Sequence, residues 1–99
     1  MTSEAALRRA LLAMLASEDV TANIGNIRSD AWASATFTGV RHELRLRLSG
    51  RGVEAVIAGI GEREFDLPGH ILIDISATET SRDHGGRWLA LEALTVTAD

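Results

Sequence analysis

The chain has 99 residues, no cysteine, 4% aromatic residues and a net charge of −4. That length supports one hydrophobic core without disulfides or metals, and the absence of cysteine excludes thiol chemistry. An acidic, aromatic-poor domain lacks both the basic footprint and the stacking platforms of a nucleic-acid binder, and no apolar run approaches the roughly 20 residues that span a bilayer.

The charge is unevenly placed. Met1–Gly50 carries six arginines against five acids, and Arg51–Asp99 carries four against nine. Ser3 is positioned to cap a helix running to about Ala16, with Glu4 at its positive end. Leu7, Leu11, Met14 and Leu15 form its apolar stripe, with Leu12 at the margin. The stripe suits packing on a core, or an interface helix. Arg8-Arg9 followed by Ala10–Ala16 has the outline of a signal peptide. Glu4 and the helical spacing argue instead for a folded helix, and so for a chain that is cytoplasmic when made.

Ser17–Asp30 reads as a polar connection in which Ile24 and Ile27 are anchors or a very short edge strand. Ala31–Phe37 has β character, with Trp32, Ser34 and Thr36 on one face. Thr38-Gly39 reads as a tight turn into the next strand, making a hairpin. That strand, Val40–Leu48, is the clearest element. Val40, His42, Leu44, Leu46 and Leu48 share one face, and Arg41, Glu43, Arg45 and Arg47 share the other. A slip of one residue would put every leucine in water, so the segment is expected at the centre of the sheet.

Ser49–Gly52 breaks the strand. Val53, Val56, Ile57 and Ile60 then follow helical spacing, in a helix kept short by Gly59 and Gly61. Glu62–Leu67 is an acidic loop with Phe65 and Leu67 turned inward, closed by a Pro68-Gly69 turn. His70–Thr80 is the third strand, with Ile71, Ile73, Ile75 and Ala77 on one face. Leu72, Asp74, Ser76, Thr78 and Thr80 fall on the other. Ser81–Gly86 is a polar hairpin loop, and Trp88–Thr97 a fourth strand whose periodicity is ambiguous; the preferred assignment puts Leu89, Leu91 and Ala93 inward. Trp88, Ala90, Glu92 and Leu94 then point outward. The order α-β-β-α-β-β implies one α+β domain over residues 1–99, a four-stranded, mainly antiparallel sheet with two helices packed on one face. The pattern leaves strand order open.

Catalytic signals are sparse. His42, His70 and His84 lack zinc-site spacing, so neither metal nor cofactor is expected. Asp74 with Glu43 or Glu92 could make an acid–base pair on the open sheet face, although pairing with Arg45 or Arg47 is the commoner outcome there. An enzyme would need a cleft joining Asp74 to His42 or His84, and no nucleophile elbow, phosphate loop or dinucleotide fingerprint occurs. The open face, carrying Arg41, Arg45, Arg47, Leu72, Asp74, Thr78, Trp88 and Leu94, instead has the composition of a protein interface.

Three stretches resemble the tail-completion, or tail-terminator, proteins of long-tailed phages and gene transfer agents. Glu4–Ala16 is similar to that family's opening helix. Arg41-His42-Glu43-Leu44 and its continuation resemble its second strand, followed by a short Ala-rich helix. Pro68–Asp74, Thr80–Asp83 and Arg87–Thr95 resemble its closing hairpin. Ser17–Asp30 departs from the family, being short and without the usual Pro-Tyr pair, and the helix around Val53–Ile60 is abbreviated. The resemblance implies a non-enzymatic homo-oligomeric ring, generally a hexamer, and a bacterial host in whose cytoplasm the chain is made. Such a ring caps the head-proximal end of the tail tube and joins it to the head-tail connector protein. Its partners would be further copies of itself, the tail tube protein and the connector. Charge alone suggests the complementary patches, Arg41, Arg45 and Arg47 on the face against Glu62, Glu64 and Asp66 in the loop; Glu43, Asp74 and Trp88 are further candidate interface residues. The reading from another class is a small α+β regulatory or ligand-binding module that dimerises through its sheet.

Overall fold

Strand β2 (Thr38–Ser49) lies inside an antiparallel sheet, between β1 (Thr21–Ala33) and β4 (Gly86–Thr97), with β3 (His70–Asp83) outside β4. The computed structural model describes residues 1–97. Helix α1 (Ser3–Ser17) precedes β1; helix α2 (Val53–Gly59) and a 3₁₀ turn (Ile60–Glu62) join β2 to β3. The strand order β1-β2-β4-β3 makes two hairpins that meet along β2 and β4.

Alternation dictates the layers. Leu44, Leu46 and Leu48 of β2 and Leu89, Leu91 and Ala93 of β4 are buried on one face, under Leu7, Leu11, Met14 and Leu15 of α1. Val53 and Val56 of α2 and Ile60 join the same core, so both helices cover that face. Each buried leucine contributes about 1.5–3 kcal/mol, which fixes the register. The four strands have 12–14 residues, about 40–46 Å at 3.3 Å per residue, and the molecule is 45 Å long by 23 and 21 Å. Helix α1, 15 residues at about 1.5 Å each, spans roughly half that length. The sheet therefore outruns its cover.

Several local expectations are corrected. Thr2, not Ser3, caps α1: its hydroxyl accepts from the Ala5 amide at 3.1 Å, while Ser3 is the buried first helical residue. Ser17–Asp30 is mostly strand, because β1 starts at Thr21 and pairs with β2 along its whole length. A bulge between Ile24 and Ile27 lets both turn toward the core although they are three residues apart, as an extra residue in one strand requires. The hairpin turn lies at Ser34–Phe37. There the Ser34 amide donates to the Phe37 carbonyl at 2.8 Å, and the Phe37 amide donates to Ser34 Oγ at 3.1 Å. Thr38 and Gly39 belong to β2.

The third strand is the larger correction. A bulge between Leu72 and Asp74 reverses the alternation, so Leu72 packs on the core with Ile75 and Ala77 while Ile71 and Ile73 are 51% and 54% exposed. Leu72 is therefore not on the open face. The strand also runs on to Asp83, and the predicted loop shrinks to His84-Gly85, with Gly85 at φ +97°, a conformation with little cost only for glycine.

Candidate interaction surface

The face opposite the helices is built by register. Asn23, Arg28, Asp30 and Trp32 of β1 stand opposite Arg47, Glu43, Arg41 and Gly39 of β2. On the far side of β2, Arg47, Arg45, Glu43 and Arg41 stand opposite Trp88, Ala90, Glu92 and Leu94 of β4, beyond which lie Ser81, Thr78, Ser76 and Asp74 of β3. The face thus brings together Arg41, Glu43, Arg45, Arg47, Trp88 and Asp74, all expected there.

Its cations differ in what they are free to do. The Arg47 guanidinium binds Asp83 in two-pronged fashion, at 3.0 and 2.7 Å, and Trp88 Nε1 donates to the same carboxylate at 3.1 Å. Arg47, then Trp88, hold the Asp83 carboxyl down at about 2, against the opposing effect of partial desolvation. A Cβ at Gly86 would come within 2.4 Å of the guanidinium carbon, so a larger residue there would have to displace the Arg47 head from its place. Arg41 pairs with Glu92 at 3.4 Å and Arg28 with Asp30 at 3.1 Å. Among the described residues Arg45 has no ion-pair partner. Among the described residues none of the expected pairs of Asp74, Glu43 or Glu92 with Arg45 or Arg47 forms: Glu92 goes to Arg41, Arg47 goes to Asp83, and Arg45 is left available.

Arg45 borders a shallow depression of about 420 Å³ above Ala90, whose small side chain makes the floor; Arg28, Glu43, Glu92, Ser76 and Thr78 line it. Glu43 and Glu92 stand directly opposite each other here, so this is the carboxylate pair that the topology creates. Asp74 lies beside Leu94 instead. Neither carboxylate is near a histidine of the covered face. His84 is in the β3–β4 turn at the other end of the strand from Asp74, so the cleft that an enzyme reading needs is not formed by these residues.

The acidic loop occupies a different side. Glu62, Glu64 and Asp66, with Asp74, border a groove of about 480 Å³ between the loop and the free edge of β3, which also contains Ile71 and Ile73. One bridge, Leu67 to His70, closes its end. The only arginine in the loop, Arg63, is tied back to Glu18 after α1 and so does not neutralise these acids. Phe65 and Leu67 turn toward the core as expected.

Sequence reasoning missed an apolar band. Trp32, Gly39, Val96 and Ile71 form one cross-strand row at the β1–β2 turn end of the open face, with exposed Phe37 in the adjacent turn. The Trp32 ring lies against Gly39, where a Cβ would be 2.7 Å from its Nε1, and that indole N–H is buried with no partner among the described residues. The row was hidden because the Ile73 bulge moves Ile71 out of the core pattern. Near the opposite end, on the helix side, Arg87 joins Glu79 of β3 to Glu54 of α2.

His42 lies on the covered face and is fully buried. Its Nδ1 is 2.8 Å from Ser29 Oγ, which donates to Glu4 Oε1 at 3.0 Å, and its Nε2 is 3.2 Å from Thr95 Oγ1. In this chain serine, not histidine, sits between the other two groups, and the second ring nitrogen faces the core. That order differs from a Ser-His-acid relay, in which the carboxylate holds the histidine rather than the serine. No described helix is long and apolar enough to cross a membrane. Comparison with protein-family models, curated proteins and solved structures returns no match.

Proposed function

We propose that this chain is a non-enzymatic tail-terminator subunit of a phage or gene transfer agent, which assembles into a ring, most simply of six copies, on the head-proximal end of a tail tube. The reading starts from the resemblance carried by Glu4–Ala16, Arg41–Leu44 and Pro68–Thr95. One observation of geometry supports it best: two unlike surfaces lie on different sides of the molecule, a mixed-charge depression with unpaired Arg45 on the open face and the acidic Glu62, Glu64 and Asp66 beside the β3 edge. A ring requires two unlike patches that meet head to tail, whereas a dimer requires one patch that meets itself. Exposed Phe37 and Ile71 at the ends of the apolar row, with half-buried Trp32, add surface of the kind partners bury, available to the tube or to the connector.

The second reading, a regulatory module that dimerises through its sheet, draws support from the depression above Ala90, where a two-fold axis would let Arg45 of each copy pair with Glu43 of the other. Absolute molar mass over a wide concentration range, with negative-stain images of the most concentrated sample, separates the two. Rings of about six subunits favour the terminator, and a concentration-independent dimer favours the module. If the chain is monomeric alone, purified tail tube protein is added. Tubes that keep growing in its presence refute the terminator reading.

A further inference from the structure

The protons around His42 can be counted. Ser29 Oγ lies between Nδ1 and the Glu4 carboxylate, and Thr95 Oγ1 lies between Nε2, at 3.2 Å, and the Val40 carbonyl oxygen, at 3.4 Å. Each hydroxyl has one proton to give. An ionised carboxylate only accepts, so Ser29 gives its proton to Glu4 and must receive one from Nδ1–H. Nε2 is then bare and accepts from Thr95. The alternative tautomer sends the Ser29 proton to Nδ1, leaves Glu4 without its donor, and gains only the longest contact of the set, Thr95 to Val40.

We propose that Glu4, acting through Ser29, holds neutral His42 in its Nδ1–H tautomer, and that this chain is a proton-responsive clasp between the first turn of α1 and the sheet. A second proton can enter only at Nε2. When it does, the Thr95 hydroxyl rotates to the Val40 carbonyl and its oxygen accepts from Nε2–H. No hydrogen bond is lost. Ser29 then bridges an imidazolium and a carboxylate, and the bond from Nδ1 becomes charge-assisted. Burial resists this protonation and holds the ring below its ordinary 6.5, Glu4 on α1 works against burial, and His70 on β3 adds a smaller depression. Ser29 from β1 and Thr95 from β4 are neutral. The unfolded chain therefore binds the proton more readily than the folded one. Stability is complete above about 6.5 and declines as pH falls from there through the lower folded midpoint. The molecules that remain folded in acid grip α1 through an ion pair.

The test is a pH titration of ¹⁵N-labelled full-length protein, read by long-range ¹H–¹⁵N correlation at the His42 ring. In the neutral state Nδ1 should give the protonated, pyrrole-like shift and Nε2 the bare one, with a midpoint below 6.5. Glu4→Gln keeps an acceptor but loses the charge, so the tautomer should stay while proton affinity falls, by roughly 3- to 10-fold. Glu4→Ala removes the acceptor and should move the ring toward Nε2–H. Thr95→Val should weaken proton binding, and Thr95→Ser should restore it. An Nε2–H signal in the neutral wild-type protein overturns the proposal without any variant. So does a Glu4→Ala protein whose tautomer and midpoint are those of wild type.

Discussion

The two faces of β2 differ in what holds them. On the covered face, Leu44, Leu46 and Leu48 meet side chains from α1, α2 and β4, and none can move without opening a void. On the open face, Arg41 and Arg47 are held by ion pairs that water and salt can compete for, while Arg45 has no such partner among the described residues. One strand thus carries a face that specifies the fold and a face on which residues can change at little structural cost. The second face is where a partner can be recognised.

Truncations on the two faces should separate these roles. Leu46→Ala, at a fully buried position, should cost about 2–5 kcal/mol, read from the urea midpoint at unchanged slope. Arg45→Glu should leave that midpoint within about 0.5 kcal/mol and yet abolish ring assembly in the molar-mass experiment. A ring that survives Arg45→Glu removes Arg45 from the contact. The double reversal of Arg45 and Arg47 is a poorer probe, because a glutamate at position 47 would face Asp83 and disturb the hairpin corner.

Asp83→Asn gives a smaller and pH-dependent effect. The Asp83 carboxyl is held at about 2 in the folded protein against 3.8 for the ordinary group. Its contribution is therefore present above 3.8 and lost as pH falls toward 2. Acid unfolding curves of wild type and Asp83→Asn should differ at neutral pH and converge near pH 2, with the difference reduced by salt because the pair is exposed. Convergence at neutral pH would show that the corner contributes nothing. Trp32→Phe should have the smallest effect. It removes a buried donor without a partner, so stability should hold or rise by up to about 1 kcal/mol. A clear loss would mean that the indole N–H is satisfied by water.

The contrast between faces also explains what the sequence made legible. β2 and β4 pair without interruption, so the inward and outward residues of Val40–Leu48 follow directly, and the ambiguous parity of Trp88–Leu94, apolar on both faces, resolves to the preferred assignment. β1 and β3 are edge strands whose ladders are broken by bulges, between Ile24 and Ile27 in β1 and between Leu72 and Asp74 and again between Glu79 and Ser81 in β3. In β1 the bulge puts Ile24 and Ile27 on one face at a spacing that no regular strand allows. In β3 the first bulge exchanges the roles of Ile71 and Leu72. Parity is a reliable guide only where the ladder is continuous. The site shows the same division. Arg41, Glu43, Arg45 and Arg47 could be assigned to a common face because they lie on one strand. The partners Asp83 and Glu92 could not be assigned, since they depend on β4 being inserted between β2 and β3. The turn was misread for a local reason: Ser34 uses its hydroxyl to fold Ser34–Phe37, while Thr38-Gly39 only resembles a turn in composition.

The insertion of β4 between β2 and β3 also sets the order in which the molecule can be made. Hairpins β1–β2 and β3–β4 each close over short loops, but neither owns a complete core. The seam joining them links residues as far apart as His42 and Thr95, 53 positions along the chain. Loop-closure entropy for such a seam comes due before its leucines are rewarded, so docking of two preformed hairpins should limit the folding rate. Leu44→Ala and Leu91→Ala, at the seam, should slow folding, whereas changes at the β3–β4 turn should mainly alter unfolding, as a chevron plot would record. Until β4 arrives, the Leu44–Leu46–Leu48 stripe lacks its neighbour in the sheet, and a growing chain spends that interval as two unjoined halves.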